Sequence, residues 1–287
     1  MAEIIDGKAI SAQIRNEIAA QTGEFKEKYG FVPGLAVIIV GNDPASCVYV
    51  RNKKRACDEV GFYSESYELP EETTQEELNS LIDRLNADEK IHGILVQLPL
   101  PKALNESEIL LRINPNKDVD AFHPYNVGKI MIGNYSFLPC TPAGVMALLE
   151  RSGIDVAGKR CVVIGRSNIV GKPMAMLLLH SNGTVTVCHS KTENIKEICR
   201  EADILVASVG KAGFVTADMV TPGAVVIDVG INRNADGKLC GDVDFNQVEP
   251  IASYITPVPG GVGPMTITML MKNTLTSAML KATDNQS

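Results

Sequence analysis

With 287 residues, 45% of them apolar, the chain is long enough for two domains, each with a sizeable core. Its net charge of −7 argues against nucleic acid or an anionic membrane as the main partner. No apolar run approaches the ~20 residues that span a bilayer, so we expect no membrane segment.

The first 20 residues carry acidic side chains and lack the apolar core of a signal peptide, so they predict an amphipathic helix of the mature fold. Strands and helices then alternate. Predicted strands lie at 34–41, 63–67, 94–98, 161–164, 184–188, 203–207 and 224–228, and predicted helices at 46–60, 74–87, 105–112, 141–153, 174–179 and 265–279. This alternation predicts an α/β protein with parallel sheets.

We expect two α/β lobes with a cleft between them. The N-terminal lobe is predicted at 1–138 and is completed by the C-terminal helix, about 266–287. A Rossmann-like dinucleotide-binding lobe is predicted at 139–265. Helices near Thr141 and Met265 cross between the lobes in this prediction.

Two loops and the C-terminal tail differ in composition from the rest of the chain. Segment 114–135 is polar and rich in turn residues, which favours an active-site loop. Six of the nine residues at 256–264 are Pro or Gly, more than a turn requires, so we expect a ligand-facing loop there. The polar tail from Thr283 is predicted to fray.

The cysteines and histidines suggest no metal and no disulfide framework. The seven cysteines are odd in number, scattered and without a Cys-x-x-Cys pair. Reduced core thiols in a cytoplasmic protein are therefore expected. The four histidines show no ligand spacing, so no metal site is predicted.

Segment 159–173 has the pattern of a phosphate-binding corner. The apolar run 161–164 predicts a buried strand, Gly165 ends it, and Gly171-Lys172-Pro173 opens a helix. Backbone N–H groups at such a helix start can hold a pyrophosphate. Because the spacing is Gly-x5-Gly rather than Gly-x-Gly-x-x-Gly, an ordinary turn between strand and helix is an equal alternative.

The end of the next predicted strand favours NADP over NAD. An NAD-binding domain normally places an acidic residue there for the ribose 2′-hydroxyl. Here the sequence is Cys188-His189-Ser190-Lys191, without an acid, and Arg166 lies in the preceding loop. Arg166 and Ser190 could bind a 2′-phosphate. A solvated turn arginine and a helix-capping serine are the alternative.

The helix at 46–60 places a lysine on its apolar side. Tyr49, Lys53, Ala56 and Val60 follow helical spacing along one face. A desolvated Lys53 would have a lowered pKa and could exchange a proton near neutral pH. Alternatively, its stem covers apolar surface while its ammonium group reaches water. Tyr49 is either its hydrogen-bond partner or a core residue.

Three further polar residues are candidates for the site. Gln97 lies at the carboxyl end of a predicted strand, where open α/β sheets bind ligands, although it could simply cap its own turn. Asp118 and Asp120 lie in a predicted loop, where either could anchor a substrate or be solvated.

Together these motifs resemble the bifunctional methylenetetrahydrofolate dehydrogenase/cyclohydrolase family. The likeness covers nearly the whole chain. The motifs that carry it are Asp6-Gly-Lys8, Tyr49-Val-Arg-Asn-Lys53, Val96-Gln-Leu-Pro-Leu-Pro101, Lys117-Asp-Val-Asp120, Pro139-Cys-Thr-Pro142, Gly165-Arg-Ser167, Val170-Gly-Lys-Pro173, Asp228-Val-Gly-Ile-Asn232 and Pro257-Val-Pro-Gly-Gly-Val-Gly-Pro-Met-Thr266. The loop Ala121-Phe122-His123 departs from the pattern, since many members have Gly, then Phe or Leu, then a small residue there.

The resemblance implies oxidation of 5,10-methylenetetrahydrofolate by NADP and hydrolysis of the methenyl product to 10-formyltetrahydrofolate. It also implies a homodimer and a folate site between the lobes. The implied catalytic and substrate-binding residues are Lys53, Tyr49, Gln97 and Asp120, with Gly263 and Pro264 also binding substrate. The implied cofactor-binding residues are Thr141, Gly165, Arg166, Ser167, Ile169, Ser190, Ile231 and Thr266.

Two other functions fit parts of the pattern. An NADP dehydrogenase of the shikimate or amino-acid type would also have two α/β lobes, but it should lack the Tyr-x3-Lys helix. A non-catalytic dinucleotide sensor would have no reason to bury Lys53.

Overall fold

A computed structural model describes residues 1–284, without the side chains of residues 44–47. The strands are β1 (Glu3–Ile4), β2 (Gly34–Val40), β3 (Tyr63–Leu69), β4 (Gly93–Val96), β5 (Arg160–Ile164), β6 (Thr184–Cys188), β7 (Ile204–Ala207), β8 (Val225–Asp228), β9 (Asn232–Arg233), β10 (Leu239–Cys240) and β11 (Tyr254–Ile255). The helices are α1 (Gly7–Tyr29), α2 (Pro44–Val60), α3 (Gln75–Ala87), α4 (Glu106–Arg112), α5 (Pro124–Met131), α6 (Cys140–Arg151), α7 (Gly171–His180), α8 (Ile195–Arg200), α9 (Phe245–Val248) and α10 (Val262–Asp284). Within these residues, no helix has both the length and the apolar composition needed to cross a membrane.

The chain divides into two compact units, and both are α/β with a parallel sheet, as the sequence predicts. The first unit, here called the Thr141 unit, comprises Met1–Ala12 and Thr141–Thr266. The second, here called the Lys53 unit, comprises Gln13–Cys140 and the chain from Ile267.

The Thr141 unit is built on a six-stranded sheet in the order β1-β11-β8-β7-β5-β6, with all pairs parallel. From β5 the chain runs to β6 on one side and then returns to β7 and β8 on the other. Open α/β sheets bind ligands beyond the carboxyl ends of their strands at such a reversal. The pairing of Ile164 with Ala207 makes β5 and β7 end level, which brings the loops that follow them together.

The core of the Thr141 unit consists of β-branched and aliphatic side chains from the central strands. These strands are buried on both faces, which explains why they are continuous apolar runs in the sequence. Fully or almost fully buried members include Val162, Ile164, Leu205, Val226 and Ile255.

The Lys53 unit contains a three-stranded parallel sheet in the order β3-β2-β4. All seven residues of the central strand β2 are buried, as its apolar sequence predicts. Helix α3 begins with a capping box, in which the Thr74 side chain accepts from the Glu77 N–H and the Glu77 side chain accepts from the Thr74 N–H. Its apolar face then packs onto the sheet through Leu78, Ile82 and Leu85.

The first twelve residues group with the Thr141 unit, whereas the sequence placed them in the N-terminal lobe. The reason is that β1 pairs in parallel with β11, and the Ile5 N–H donates to the Ile255 carbonyl at 2.9 Å. Strands of two residues carry too little pattern to be recognised in the sequence. The proposed division at residue 138 otherwise stays a prediction.

Two segments have a different structure from the one that the sequence predicts. Segment 114–135 is not one loop, because α5 lies within it, with His123 as its N-cap and Pro124 in its first turn. The last helix begins at Val262, within the Pro/Gly segment, and continues to Asp284. The predicted frayed tail therefore lies partly outside the described residues.

The Pro/Gly segment packs closely against the start of α1. A Cβ atom on Gly7 would lie 1.8 Å from the Gly261 carbonyl oxygen, and the Lys8 N–H donates to the Gly260 carbonyl at 3.1 Å. These glycines therefore permit backbone packing within the Thr141 unit. Gly263 differs, because a Cβ there would meet no atom within 4 Å. The predicted ligand-facing role of this segment stays a prediction.

Candidate active site

Helix α2 carries Lys53 on its buried face, as its spacing predicts. Lys53 is only 7% exposed, and Ala56 and Val60 on the same face are buried. The neighbouring cations Arg51, Lys54 and Arg55 are exposed. The alternative in which the Lys53 ammonium group reaches bulk water is therefore wrong.

Gln97 is the polar partner of Lys53. The Lys53 Nζ donates to Gln97 Oε1 at 2.8 Å, and Gln97 Nε2 donates to the Leu98 carbonyl at 2.7 Å. The backbone N–H of Gln97 also donates to the Ile38 carbonyl at 2.8 Å, which continues the pairing of β4 with β2. The amide thus caps its own turn with its nitrogen and binds Lys53 with its oxygen, while its predicted role in ligand binding stays a prediction.

Asp118 organises the loop that contains Asp120. It is buried, and its carboxylate accepts from the backbone N–H groups of Phe122 at 3.2 Å and His123 at 2.8 Å, and from the Asn126 side chain at 2.8 Å. The alternative of a solvated aspartate is wrong for Asp118. Its side-chain bonds therefore hold the loop after Asp120 to the first turns of α5.

The residue after Asp120 has a left-handed backbone. Ala121 has φ +58 and is buried. This conformation favours Gly, so the departure of this sequence from the family pattern falls at a position where the pattern has a steric reason. The surrounding bonds, including the Ala121 N–H donating to the Asp118 carbonyl at 3.1 Å, hold the turn in place.

Lys53 and Asp120 influence each other electrostatically. Burial lowers the pKa of the Lys53 ammonium, and the negative charge of Asp120 partly opposes this. Asp120 is only partly buried as a residue, yet the protein packed around its carboxyl group raises its pKa, while the Lys53 ammonium lowers it. The pKa of the Lys53 amine is therefore closer to neutral pH than that of an ordinary lysine.

Cys140 is a fourth member of this group, and we did not single it out from the sequence. It is buried, and its Sγ lies 3.5 Å from the Val119 carbonyl oxygen. Burial and the charge of Asp120 raise its pKa well above the ordinary value, so the thiol stays protonated and can donate to the Asp120 carboxylate. Its position in the Pro-Cys-Thr-Pro motif was the available signal. We call Lys53, Gln97, Asp120 and Cys140 the Lys53 cluster.

Tyr49 lies one helical turn before Lys53 on α2 and is partly buried. Burial raises the pKa of its hydroxyl, so it remains a neutral phenol at physiological pH. The Lys53 cluster thus combines an amine able to exchange protons with a carboxylate, an amide and a protonated thiol, and Tyr49 adds a phenol on the same helix. These groups could handle a reaction that needs proton transfer and recognition of N–H donors.

The loop between β5 and α7 forms a tight corner, which we call the Gly165 corner (residues 165–171). Gly165 has φ +130, and a Cβ on it would lie 2.4 Å from the Ser208 carbonyl oxygen. A Cβ on Gly171 would lie 2.3 Å from the Gly165 carbonyl oxygen. Both glycines are therefore required for the helix to start directly above the strand end.

Ser167 holds the backbone of this corner in shape. Its Oγ accepts from the Val170 N–H at 3.1 Å and the Gly171 N–H at 3.3 Å, and its carbonyl accepts from the Lys172 N–H at 3.0 Å. Arg166 is exposed. A cation beside the N-terminal end of a ten-residue helix is a suitable environment for phosphate groups.

The turn after β6 has no carboxylate at the position where NAD-binding domains carry one. The His189 N–H donates to Thr192 Oγ1 at 2.8 Å, and its ring Nδ1 accepts from the Lys191 N–H at 3.1 Å. These bonds form a turn that contains Ser190, which is exposed. The local chemistry suits a 2′-phosphate.

The remaining predicted cofactor residues also lie in the Thr141 unit. Ile169 and Ile231 are 45% and 52% exposed, which is high for isoleucine, so each offers an apolar surface that a bound ring could cover. The Thr141 and Thr266 hydroxyls are 2.9 Å apart and hydrogen-bonded. Gly263 and Pro264 lie in the first turn of α10.

Two family models match the chain. The tetrahydrofolate dehydrogenase/cyclohydrolase catalytic domain matches residues 5–120, and the NAD(P)-binding domain of the same family matches residues 139–282.

Named relatives agree with these models. A protein named bifunctional protein FolD from Acetivibrio thermocellus is 62% identical over 98% of both chains. The crystal structure of the FolD dehydrogenase/cyclohydrolase from Campylobacter jejuni is 51% identical, covers 98% of this chain and 100% of its own, and superposes with a TM-score of 0.96. A Trypanosoma brucei FolD structure, complexed with NADP cofactor and inhibitor, is 43% identical over 98% of both chains, with a TM-score of 0.94.

A more distant likeness concerns the fold alone. The shikimate 5-dehydrogenase of Thermus thermophilus is 13% identical, covers 84% of this chain and 100% of its own, and has a TM-score of 0.52.

Proposed function

Because the chain belongs to the tetrahydrofolate dehydrogenase/cyclohydrolase family, we propose that its Lys53 cluster and Gly165 corner serve the two reactions of that family. The enzyme oxidises 5,10-methylenetetrahydrofolate to 5,10-methenyltetrahydrofolate with NADP+ and hydrolyses the product to 10-formyltetrahydrofolate. The observation that carries the assignment of residues is the buried Lys53 amine bound to Gln97.

The residues of the Thr141 unit fit NADP. Arg166 and Ser190 would hold the 2′-phosphate, where the turn after β6 offers no carboxylate to repel it. Gly165, Ser167 and the start of α7 would hold the pyrophosphate. The remaining contacts would come from Thr141, Ile169, Ile231 and Thr266. When bound, NADP+ supplies the acceptor for a hydride.

In the oxidation step, this chain contributes positioning more than acid or base catalysis. The reacting carbon lies between two nitrogens, which stabilise the cation left when a hydride departs. Fixing the folate in the correct orientation is therefore the main requirement. Asp120 would hold the amino and ring N–H donors of the pterin through a charge-assisted, bidentate contact. Gly263 and Pro264 would complete the substrate contacts.

In the hydrolysis step, Lys53 would transfer protons. Water must lose a proton as it attacks the methenyl carbon, and a ring nitrogen must gain one as its bond to that carbon breaks. A single amine whose pKa is lowered by burial can perform both transfers. Gln97 would orient the amine through the 2.8 Å hydrogen bond, and Tyr49 would add a neutral donor to the same face of α2.

The alternative functions are not favoured. The shikimate-type dehydrogenase shares the fold at low identity, whereas the matching catalytic-domain model covers 5–120 and includes the Tyr49–Lys53 helix. A dinucleotide sensor would leave the burial of Lys53 without a purpose.

We also propose that the enzyme is a cytoplasmic homodimer that supplies one-carbon units for purine and amino-acid biosynthesis. The support is the family resemblance, together with buried, unpaired thiols at Cys57, Cys161, Cys188 and Cys199, as reducing conditions favour. Light scattering on the purified protein tests the dimer, and a monomer at micromolar concentration would contradict it.

Two assays on the purified protein test the assignment of function. With 5,10-methylenetetrahydrofolate, we expect NADP+ to be reduced far faster than NAD+. With 5,10-methenyltetrahydrofolate and no nucleotide, we expect hydrolysis above the buffer rate. Absence of either activity in folded protein would contradict the corresponding half of the proposal.

A further inference from the structure

Two buried aspartates in the Thr141 unit have no role in the assignments above. Asp228 is the last residue of β8 and is 3% exposed, and Asp242 follows β10 and is fully buried. A buried carboxylate is retained only where hydrogen bonds compensate for its lost hydration. The partners of these two residues therefore indicate what they hold together.

Asp228 binds the segment that carries Asp242. Its Oδ1 accepts from the N–H groups of Gly230 and Asp242, and its Oδ2 from the N–H of Val243, all at 2.9 Å. A Cβ on Gly241 would lie 1.8 Å from Asp228 Oδ2, so the two backbones can approach only because this residue is glycine. The end of β8 and the segment 241–243 are thereby fixed to each other.

Asp242 in turn binds the loop after β7. Its Oδ2 accepts from the N–H groups of Val209 at 2.6 Å and Gly210 at 3.0 Å, and its Oδ1 from the N–H of Lys211 at 2.8 Å. Three successive N–H groups around Gly210, with its left-handed φ of +68, form an anion-binding nest. The carboxylate of Asp242 fills this nest.

The same carboxylate also reaches the segment after β8. Its Oδ1 accepts from Asn232 Nδ2 at 2.8 Å, and Asn232 directly follows Ile231. A Cβ on Gly230 would lie 2.4 Å from the Asp242 carboxyl carbon, so this segment passes close to the carboxylate. Asp242 therefore joins the loop after β7 to the segment that contains a proposed cofactor residue.

The loop after β7 continues directly to the Gly165 corner. The N–H and Oγ of Ser208 donate to the Ile164 carbonyl at 2.8 and 3.0 Å, and the Ser208 carbonyl oxygen lies 2.4 Å from where a Cβ on Gly165 would be. The chain of contacts thus runs from Ile231 through Asn232 and Asp242 to Ser208 and Gly165. Every link is a hydrogen bond, a neighbouring residue in the chain or a contact too close for a Cβ.

We propose that Asp242 is a positioning residue for the dinucleotide: by filling the 209–211 nest and holding Asn232, it aligns the Gly165 corner with Ile231. This inference rests on the proposed cofactor assignment. Asp242 does not touch the reacting atoms in this proposal. Because it fixes two cofactor-binding segments at once, its loss should displace both from the dinucleotide while leaving the Lys53 unit intact.

The test compares Asp242→Ala with Asp244→Asn, which removes a carboxylate from the same segment, where it caps α9. For Asp242→Ala, we expect kcat/KM for NADP+ to fall on the order of 10²-fold, mainly through KM, as displacements of about 1 Å produce. Nucleotide-free hydrolysis of 5,10-methenyltetrahydrofolate should keep its normal rate. Asp244→Asn should match the unaltered enzyme in both assays.

Formate gives a readout that a merely structural role would not change. The Ala side chain leaves a space the size of the lost carboxylate, which formate can fill. Added formate should therefore lower the KM for NADP+ in Asp242→Ala but not in the unaltered enzyme. Chloride at equal ionic strength is the control. An unchanged KM in the variant, or a proportional loss of both activities at constant KM, would overturn the inference.

A second variant and the activity of the unaltered enzyme keep the test decisive. If Asp242→Ala does not fold, Asn232→Ala removes one of the four contacts, and the KM for NADP+ should then rise several-fold. A normal KM in folded Asn232→Ala would count against the inference. If the unaltered enzyme itself fails to reduce NADP+, it is the proposed function that fails, whereas an active enzyme with a normal Asp242→Ala variant refutes only the role of Asp242.

Discussion

Replacement of Lys53 by methionine tests the mechanism most directly. The two side chains are similar in length, so the change removes the amine while filling most of the same space. Gln97 Oε1 loses its 2.8 Å donor, which costs about 1–3 kcal/mol. Removing a desolvated amine offsets part of this cost, so we expect Lys53→Met to fold.

The expected loss of activity is larger than the change in stability. A general acid–base group contributes roughly 10²- to 10⁴-fold, which corresponds to about 3–5 kcal/mol of transition-state free energy. Hydrolysis of 5,10-methenyltetrahydrofolate should fall by this factor or more. Oxidation should retain measurable activity, because it depends on positioning rather than on proton transfer.

The pH profile provides a second signature. Burial lowers the pKa of Lys53 from its ordinary 10.5, so the neutral amine forms at a lower pH than it would in water. The hydrolysis rate of the unaltered enzyme should therefore rise with pH through a midpoint below 10.5. The residual rate of Lys53→Met should lack this step.

Lys54→Met is the matched control, because it removes the same charge from the next, exposed residue of α2. We expect it to keep both activities. Methenyl hydrolysis is followed by the loss of absorbance of the substrate at several pH values. A normal hydrolysis rate in folded Lys53→Met, or an equal loss in Lys54→Met, would refute the assigned role.

Three further changes test other parts of the structure. Arg166→Ala should weaken NADP+ far more than NAD+ in steady-state kinetics, whereas Arg160→Ala, at the opposite end of β5, should not. Asp118→Asn should lower the free energy of unfolding by about 2–3 kcal/mol and raise the KM for folate, because the segment that follows Asp120 loses its carboxylate acceptor. Burial lowers the pKa of His92 from 6.5 to about 4, so as the pH falls the unfolded chain takes up a proton at a higher pH than the folded protein does. The free energy of unfolding should therefore fall as the pH drops from 6.5 towards 4, by up to about 3 kcal/mol. His92→Asn should make this fall smaller.

Each of these predictions has a distinct contrary result. Equal loss of NADP+ and NAD+ turnover in Arg166→Ala would argue against the 2′-phosphate assignment. An Asp118→Asn variant with an unchanged denaturation midpoint would show that the three hydrogen bonds contribute little. Identical acid-unfolding curves for the unaltered protein and His92→Asn would assign the acid sensitivity to other groups.

Strong local patterns made much of the fold predictable. Strand β6 was predicted with its observed limits, and the predicted helix at 74–87 matches α3 with its N-cap Thr74. Elements that local sequence encodes weakly were missed: β1 and β11 have two residues each and form only because they pair with each other and with β8. Helix α5 was missed because it has only eight residues, and its Pro, Asn and Gly are typical of turns.

For the site, the helical spacing of α2 predicted that Lys53 faces inward, and the structure confirms its burial. The spacing could not show which group compensates for the buried amine. Gln97 is 44 residues away in the chain and reaches Lys53 only because β4 lies beside β2. Cys140 lies 20 residues after Asp120, so its thiol was not recognisable as a neighbour of that carboxylate.

Local sequence patterns were enough to predict the class of fold and the order of its main strands and helices, and the motifs were enough to identify the family. It could do so because periodicity, capping residues and glycines act over a few neighbouring residues. Tertiary packing was needed to bring distant polar groups together: Gln97 with Lys53, and Asp242 with the loop after β7. Such pairs depend on the packing of strands and helices that lie far apart in the chain, and burial then determines their charge and strength.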